Sequence, residues 1–300
     1  MPMGVAGGAV GGWGNRLVHA GGTNWTDGVK RWLREVNYYD VAANRWEAGP
    51  ALPVPLAYGV SLRDDKSLEV CGGTDGERVY RDCWRLEAGK DSWTASGKLA
   101  SDALLGRAER VGGRAYLFGG CSDVADLTRC MDRVEMREGD GSWRKVSTLP
   151  QGKISMPASA VARGKVYLFG GCSMASPGKL VNRDDAWAFD PKTAKWQRLK
   201  PLPHANRGMT ATAVGDRYIV LLGGYTASME EAAGKDAGYG FTPDVLIYDV
   251  ESGTYAKSAP LPVAAAGIET LTNGNTIFAF GGEHRMRGRS ARFLAAAIGH

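Results

Sequence analysis

The stretch Ile277-Phe-Ala-Phe-Gly-Gly-Glu-His-Arg-Met-Arg-Gly-Arg-Ser290 joins an apolar run to two glycines, and then to a carboxylate and three arginines. The apolar run predicts a short buried strand, and the glycine pair allows a tight backbone turn where a side chain would clash. Glu283 would then lie at the mouth of whatever that strand lines. An isolated Gly-Gly-Glu could equally be a solvated turn, but the same strand recurs along the chain with other residues after the glycines.

Apolar strands that end in Gly-Gly recur with their first glycine at positions 21, 72, 119, 170, 223 and 281, a spacing of 47 to 58 residues. A second strand follows most of them, with an aromatic residue near its end: Trp46, Trp93, Trp143, Trp196 and Tyr255. We assign the four tryptophans to packing inside the repeats. Self-similarity at this period indicates a repeat architecture, in which each repeat is one small sheet.

The Gly-Gly, Tyr and Trp pattern resembles the kelch repeat over essentially the whole chain. The resemblance implies an all-β fold, a six-bladed kelch β-propeller, whose radial repetition protects the edges of the sheets. We expect a single domain over residues 3–300, with blades at about 3–53, 54–100, 101–150, 151–203, 204–262 and 263–300. Only one strand, at about 291–298, can follow Glu283, so we expect a three-stranded last blade without its outer strand, or with that strand upstream of Met1.

Composition excludes several classes of protein. A hydrophobic content of 44% with 23% charged residues is typical of a globular chain, and 42 glycines with nine tryptophans favour aromatic-rich strands joined by tight turns. No apolar run of membrane-spanning length occurs, so we expect no membrane partner. The net charge of +5 is mild and dispersed; it predicts no nucleic-acid partner and suits a small anionic ligand.

The N-terminus lacks the features of a secretory signal. We therefore expect a cytoplasmic protein, or a periplasmic or secreted one if a leader was removed. The oligomeric state stays open.

Five cysteines form no C-x-x-C motif and have no histidine nearby, so we expect no metal and no cofactor. Buried free thiols are the expected state, with Cys121 and Cys130 the only local pair considered for a bridge. The four histidines, His19, His204, His284 and His300, show no grouping that would bind copper. His284 is expected to be exposed, because neighbours on a strand face opposite ways.

Two local matches narrow the resemblance to one family. Gly4-Val-Ala-Gly-Gly with Leu17-Val-His-Ala-Gly-Gly, and Leu56-Ala-Tyr-Gly-Val-Ser-Leu62 before the next Gly-Gly strand, resemble two successive blades of the N-acetylneuraminate epimerase (sialic acid mutarotase) family. Those blades come late in that family but open this chain, as in the cyclically permuted mutarotases. That order places the catalytic blade last, where the family pattern of Gly-Glu, five residues and Arg is met by Gly282, Glu283 and Arg289. The loop after Gly22 is shorter than in the epimerase, which leaves the identity of the sugar open.

The resemblance implies an isomerase that interconverts the anomers of sialic acid or a related acidic sugar, with Glu283 as proton acceptor and Arg289 as its partner. An arginine can grip the carboxylate of such a sugar through two parallel hydrogen bonds. Further substrate-binding candidates lie in the crossings and loops expected at the same face: Tyr58, Arg107, Arg207, Asn24, Trp25 and Arg285. Arg285 and Arg287 alternate with Arg289, so either could face the pocket or solvent.

A propeller fold alone does not decide function. Two alternatives therefore stay open. One is a kelch module that binds acidic peptides through Arg107, Arg207 and Arg289. The other is a propeller that binds acidic glycans without catalysis.

Overall fold

Each apolar run that ends in Gly-Gly forms the second strand of a blade, and both glycines of each pair have positive φ. The computed structural model describes residues 1–299, and within that range the strands form six blades around a central channel. The inner strands of neighbouring blades contact one another in a closed ring that returns from blade 6 to blade 1. The prediction of an all-β, six-bladed propeller is confirmed.

The blades are antiparallel sheets whose strands run from the channel outward, and the bounds below are given in that order. Blade 1 contains Ala9–Trp13, Arg16–Ala20, Val36–Asp40 and Arg45–Ala48; blade 2 contains Val60–Arg63, Ser67–Thr74, Val79–Glu87 and Thr94–Lys98. Blade 3 contains Arg107–Val111, Arg114–Phe118, Arg133–Arg137 and Trp143–Thr148; blade 4 contains Ala158–Ala162, Lys165–Phe169, Ala186–Asp190 and Lys195–Arg198. Blade 5 contains Thr210–Val214, Tyr218–Leu222, Val245–Asp249 and Thr254–Lys257; blade 6 contains Glu269–Asn273, Thr276–Phe280 and Phe293–Ala297.

Short hairpins extend the loops that follow the glycine pairs in three blades. They pair Thr23–Thr26 with Val29–Trp32, Cys172–Ser176 with Lys179–Asn182, and Glu283–Arg285 with Gly288–Arg289. Helical turns occur at Leu127–Arg129 and Met229–Ala232. Of the helices in residues 1–299, none has the length and apolar character that crossing a membrane requires. His300, one of the histidines considered above, lies outside the described residues.

The four repeat tryptophans lie in hydrophobic clusters between or within blades, as predicted. Trp143 is buried in one cluster, while Trp93, Trp196 and Trp46 pack against three others. Trp46 also meets Phe293 edge-on, with ring centroids 5.1 Å apart, and so joins blade 1 to the last strand of blade 6. Aromatic contacts of this kind add to the burial of apolar surface.

The glycine pairs are needed for space as well as for backbone conformation, and Gly223 illustrates this. Its φ is +64°, and an added Cβ would lie 2.2 Å from the carbonyl oxygen of Ala265 in the next crossing. We expect Gly223→Ala to lower the free energy of unfolding by about 2–4 kcal/mol, because left-handed strain and a backbone clash add. Gly215 has a similar φ of +57° with open space around it. Gly215→Ala should therefore lower the free energy of unfolding by only about 1–2 kcal/mol. Urea unfolding of both variants measures the two losses, and equal losses would contradict a role for the clash.

The last blade contains three strands in the described residues, and Phe293–Ala297 forms its edge. This confirms the expected three-stranded blade. The ring closes instead through the N-terminal segment: the Val5 N–H donates to Ser290 O at 3.1 Å, and the Gly282 N–H donates to Val5 O at 2.8 Å. The N-terminal ammonium of Met1 donates to Ala291 O at 2.8 Å.

The expectation of free cysteine thiols is wrong for four of the five cysteines. Cys71 and Cys83 face each other directly in the register of two paired strands, with Cα atoms 4.1 Å apart, and form a disulfide. The sequence spacing of these two residues gave no sign of that register. Cys121 and Cys130, the pair considered for a bridge, are also joined. Cys172 is a buried free thiol, as expected.

Candidate active site

The residue that follows each glycine pair stands at an equivalent position in its blade. Each forms an antiparallel bridge with the segment that leads into the inner strand, so all of them lie at the same end of the channel: Thr23, Thr74, Cys121, Cys172, Tyr225 and Glu283. Blade 6 alone among the described blades places a carboxylate there. The repeat thus positions Glu283 at the end of the channel, as the sequence predicted.

A cavity of about 460 Å³ occupies the channel below this position. Its size is in the range of pockets that bind small molecules. The structure brings five of the predicted site residues to its wall: Glu283, Arg289, Tyr58, Arg107 and Arg207.

Glu283 and Arg289 face each other across the hairpin that follows the last glycine pair. The five residues between them therefore form the turn of a hairpin, and its register places Glu283 opposite Arg289. Arg289 Nη1 lies 2.5 Å from Glu283 Oε1, and the arginine side chain is only 7% exposed, compared with 29% for the glutamate. The backbone N–H of Arg287 donates to the same Oε1 at 3.1 Å. The Nη1 atom is itself buried, so this nitrogen is committed to the ion pair with Glu283.

The remaining edge of Arg289 is held by two hydroxyl groups. Its Nε donates to Thr23 Oγ1 at 3.3 Å and its Nη2 donates to Tyr58 Oη at 3.5 Å. The two hydroxyls are themselves 3.2 Å apart. These contacts come from blade 1 and from the crossing into blade 2, so three blades fix the orientation of one guanidinium.

Tyr58 has a left-handed backbone, with φ of +62°. That conformation is uncommon outside glycine and costs about 1–3 kcal/mol, so it marks a position at which function is worth seeking. Its ring fits because Gly7 has no side chain; a Cβ on Gly7 would lie 2.6 Å from Tyr58 Cε1. The Lys30 ammonium lies 4.7 Å from the ring centroid. Burial acts to raise the pKa of Tyr58, but Lys30, Thr23 and Arg289 outweigh it and lower that pKa overall.

Arg207 supplies a second cation near the mouth of the cavity. Its guanidinium lies over the ring of Tyr225, 4.2 Å from the centroid, and contacts Asn182 Oδ1 and the Ala227 carbonyl. A guanidinium held in this way by a ring and two oxygens is oriented before a ligand arrives. With Arg289 and Lys30, it makes this end of the channel cationic.

Three predicted residues lie outside the cavity wall. Asn24 and Trp25 belong to the hairpin after the first glycine pair, where Asn24 Nδ2 donates to Met3 Sδ at 3.7 Å and the Trp25 ring lies 5.4 Å from the Arg287 guanidinium. Their contact with a sugar stays a prediction. Arg285 is exposed and away from the wall.

The prediction that His284 is exposed is wrong. The side chain is half-buried, and its Nδ1 is enclosed without a partner in the described residues. The long loop of blade 5 packs against this hairpin, where the Met286 N–H donates to Ala237 O at 2.8 Å. Burial, Arg285 and Arg292 lower the pKa of His284, while Glu283 acts to raise it.

Sequence reasoning missed the charged residues of the inner strands. Arg63, Glu109 and Glu269 line the cavity below Glu283, as does Arg107. A signal was present, because the inner strands of blades 1, 4 and 5 carry no charged residue, whereas those of blades 2, 3 and 6 do. Thr23 and Lys30 were missed as well, and their roles depend on contacts between blades that no local pattern encodes.

Glu269 is an inner-strand residue whose pKa is strongly raised. Burial raises its pKa from the ordinary 4.5 to about 7, against the opposing effect of Arg107 and Arg63. Because the folded state binds this proton more tightly than the unfolded chain does, the contribution of Glu269 to stability is largest at low pH and is lost as pH rises through 7.

We therefore expect Glu269→Gln to raise the free energy of unfolding at pH 8 by about 1–3 kcal/mol, and to change it little at pH 5. Urea unfolding at the two pH values measures the difference. Glu77→Gln, at an exposed carboxylate, should show no such dependence on pH. A stability gain for Glu269→Gln that is equal at both pH values would contradict the titration.

Glu69, Cys71 and Cys83 form a group of potential metal ligands. The two sulfurs are bonded to each other. The Glu69 carboxylate pairs with Arg137 at 2.8 Å and with Arg110 at 3.1 Å. This group therefore acts as a structural core of blade 2.

Fold and site together define a six-bladed β-propeller with a cationic ligand cavity at one end of its channel. A model of the Attractin/LZTR1 beta-propeller family matches residues 17–287, and the chain belongs to this family.

Relatives of known name match a shorter region. An N-acetylneuraminate epimerase from Haemophilus influenzae (strain 86-028NP) is 25% identical over 175 residues, which are 50% of this chain and 46% of that protein. One from Yersinia pestis (strain Pestoides F) is 28% identical over 178 residues, 50% of this chain and 45% of that protein. The chain thus spans about half the length of the curated relatives it matches. The resemblance to the epimerase family that the motifs indicated is confirmed.

A solved structure, that of YjhT, resembles the whole fold. It superposes with a TM-score of 0.79 over 99% of this chain and 96% of that chain, at 17% sequence identity. At this identity the likeness shows the fold alone.

Proposed function

We propose that the protein is an isomerase, a mutarotase that interconverts the anomers of an acidic sugar such as N-acetylneuraminate without a cofactor. The observation that carries the proposal is the Glu283–Arg289 pair, a carboxylate 2.5 Å from a guanidinium at the wall of a cavity of monosaccharide size. The curated relatives are named N-acetylneuraminate epimerase, which supports the same reaction class.

Mutarotation opens a cyclic hemiketal and closes it on the other face. Glu283 takes the proton of the anomeric hydroxyl while that oxygen forms the C=O bond and the bond from the anomeric carbon to the ring oxygen breaks. The protonated Glu283 then gives the proton to the released ring oxygen, so that oxygen becomes a hydroxyl and the open form is a keto alcohol that keeps only the charge of its carboxylate. Rotation about the bond to the former anomeric carbon and the reverse transfers complete the exchange. Proton transfer by a positioned carboxylate contributes about 10²–10⁴ in rate.

The cationic side chains at the mouth of the cavity bind the carboxylate group of the sugar acid. A 2-keto sugar acid carries its carboxylate on the anomeric carbon, so a carboxylate bound at Arg289 places the reacting carbon beside Glu283. Thr23 and Tyr58 hold the guanidinium in one orientation, which reduces the entropy lost on binding. Arg207 lies on the same wall and adds attraction for the anion.

Exchange NMR on N-acetylneuraminate tests the proposal directly. Wild-type protein at micromolar concentration should accelerate the interconversion of the two anomers above the rate in buffer at the same pH. Binding with an unchanged exchange rate would replace the proposal with a glycan-binding propeller. Failure to bind any acidic monosaccharide, with binding of an acidic peptide, would favour a peptide-binding module.

A further inference from the structure

The cavity continues past the Glu283–Arg289 pair into a region bounded by charged side chains of the inner strands. Arg63, Arg107, Glu109 and Glu269 all line it, and neither proton transfer nor anion binding at the mouth uses any of them. Carboxylates alternate with guanidinium groups on this part of the wall, so it lacks the purely cationic character of a second anion site.

The register of blade 6 shows how far this region lies from the mouth. The backbone of Glu283 pairs with Ala266, whereas Glu269 lies on the same chain segment three residues further along the channel and pairs with Phe280. At about 3.3 Å per residue of extended chain, the two glutamates are separated by up to about 10 Å along the channel. A ligand anchored at Arg289 reaches Glu269 only if it carries a side chain beyond its ring.

Arg107 and Glu269 occupy equivalent places in blades 3 and 6, each two residues after a left-handed residue, Leu105 and Gly267. In a ring of six blades these two blades are opposite, so the two side chains approach the channel axis from opposite walls. A ligand in the channel would lie between a donor on one wall and an acceptor on the other.

Three of the four groups are already oriented by the protein. Arg107 Nε donates to Pro157 O at 2.6 Å, and Arg63 Nη1 reaches across to Thr270 O at 2.8 Å. Glu109 Oε1 accepts from Ser159 Oγ at 2.6 Å. Each guanidinium keeps further N–H groups, and each carboxylate keeps further lone pairs, for a ligand.

Glu269 differs because its carboxylate makes no hydrogen bond or ion pair with the part of the chain that the structure describes, although it faces the cavity. The rise of its pKa to about 7 reflects this uncompensated burial. Glu269 keeps part of its surface accessible, so a ligand in the cavity can supply hydrogen-bond donors to a carboxylate that the described residues leave without a partner. Uncharged hydroxyl groups are suitable donors, because the two arginines disfavour a cation and the two glutamates an anion.

We propose that Arg63, Arg107, Glu109 and Glu269 form a polyol subsite, which binds the hydroxylated side chain of a sugar acid whose carboxylate lies at Arg289. Glu269 and Glu109 accept hydrogen bonds from the side-chain hydroxyls, and Arg63 and Arg107 donate to the oxygens of those hydroxyls. The subsite selects long-chain 2-keto sugar acids over shorter ones. This inference rests on the proposed function, whose site it extends.

Calorimetric binding of two sugars to wild type and to Glu269→Gln tests the subsite. The probes are N-acetylneuraminate and its seven-carbon analogue, in which the hydroxylated side chain is shortened by two carbons. Wild type should bind the longer sugar at least about tenfold more tightly, since hydrogen bonds to charged groups are stronger than those between neutral groups. Glu269→Gln should weaken binding of the longer sugar about tenfold and leave the shorter one within about twofold.

The outcomes separate this inference from the proposed function. Equal wild-type affinity for the two sugars, or an equal loss for both in Glu269→Gln, overturns the subsite even if anomer exchange is accelerated. Binding of neither sugar overturns both proposals. The wild-type comparison needs no variant, so the test holds if the variant fails to fold. Glu77→Gln, with its exposed carboxylate, is the matched control and should bind both sugars as wild type does.

Discussion

Replacing Glu283 with glutamine is expected to slow the anomer exchange of N-acetylneuraminate by about 10²–10⁴-fold while the sugar still binds. Glutamine keeps the size of the side chain and an oxygen for the Arg287 N–H, but it cannot take up the proton of the anomeric hydroxyl. Exchange NMR measures the rate, and calorimetry on the same preparation measures the affinity.

The exposed Glu77 again supplies the control, because Glu77→Gln makes the same chemical change at a residue that does not line the cavity. It should leave both rate and affinity at the wild-type level. A Glu283→Gln protein that exchanges anomers at the wild-type rate would assign proton transfer to another group. Loss of affinity together with rate would instead give Glu283 a role in binding.

Arg289→Lys is expected to lower kcat/KM by about 10- to 100-fold, mainly through a higher KM. Lysine keeps the charge but loses the planar fork that grips a carboxylate with two hydrogen bonds, each worth about 1.5–3 kcal/mol when charged. It also gives up the donors to Thr23 and Tyr58. Initial exchange rates over a range of sugar concentrations separate kcat from KM.

Arg285→Lys makes the same change on the same hairpin, at an exposed side chain away from the cavity wall. It should leave kcat/KM within about twofold of wild type, since surface substitutions rarely have larger effects. If both variants lose activity equally, the loss arises from a change in the whole hairpin, and a specific role of Arg289 in binding the carboxylate is excluded.

The architecture was predictable because each blade carries the same short sequence signal, and that signal is repeated six times. Each glycine pair must adopt positive φ, so its position in the sequence fixes the end of a strand without knowledge of the rest of the fold. The same rule located Glu283 at the end of the channel, and the spacing to Arg289 corresponds to the register of one hairpin.

What escaped prediction depends on contacts between distant parts of the chain. Cys71 and Cys83 meet through strand register, which their spacing does not reveal. Lys30 acts on Tyr58 from a neighbouring blade, and Arg63 reaches a carbonyl 207 residues away in sequence. The depth of Glu269 in the channel requires the whole ring, because burial by the surrounding blades is what shifts its pKa.

The way in which the ring of blades closes determines when the candidate site can form during folding. The hairpin that carries Glu283 and Arg289 is anchored between Val5 and Ser290, and the arginine takes its orientation from Thr23 and Tyr58 in the first two blades. A growing polypeptide makes these partners first and the hairpin last. The Glu283–Arg289 pair thus reaches its final geometry only when the first and last blades have joined, so its correct orientation depends on complete closure of the ring.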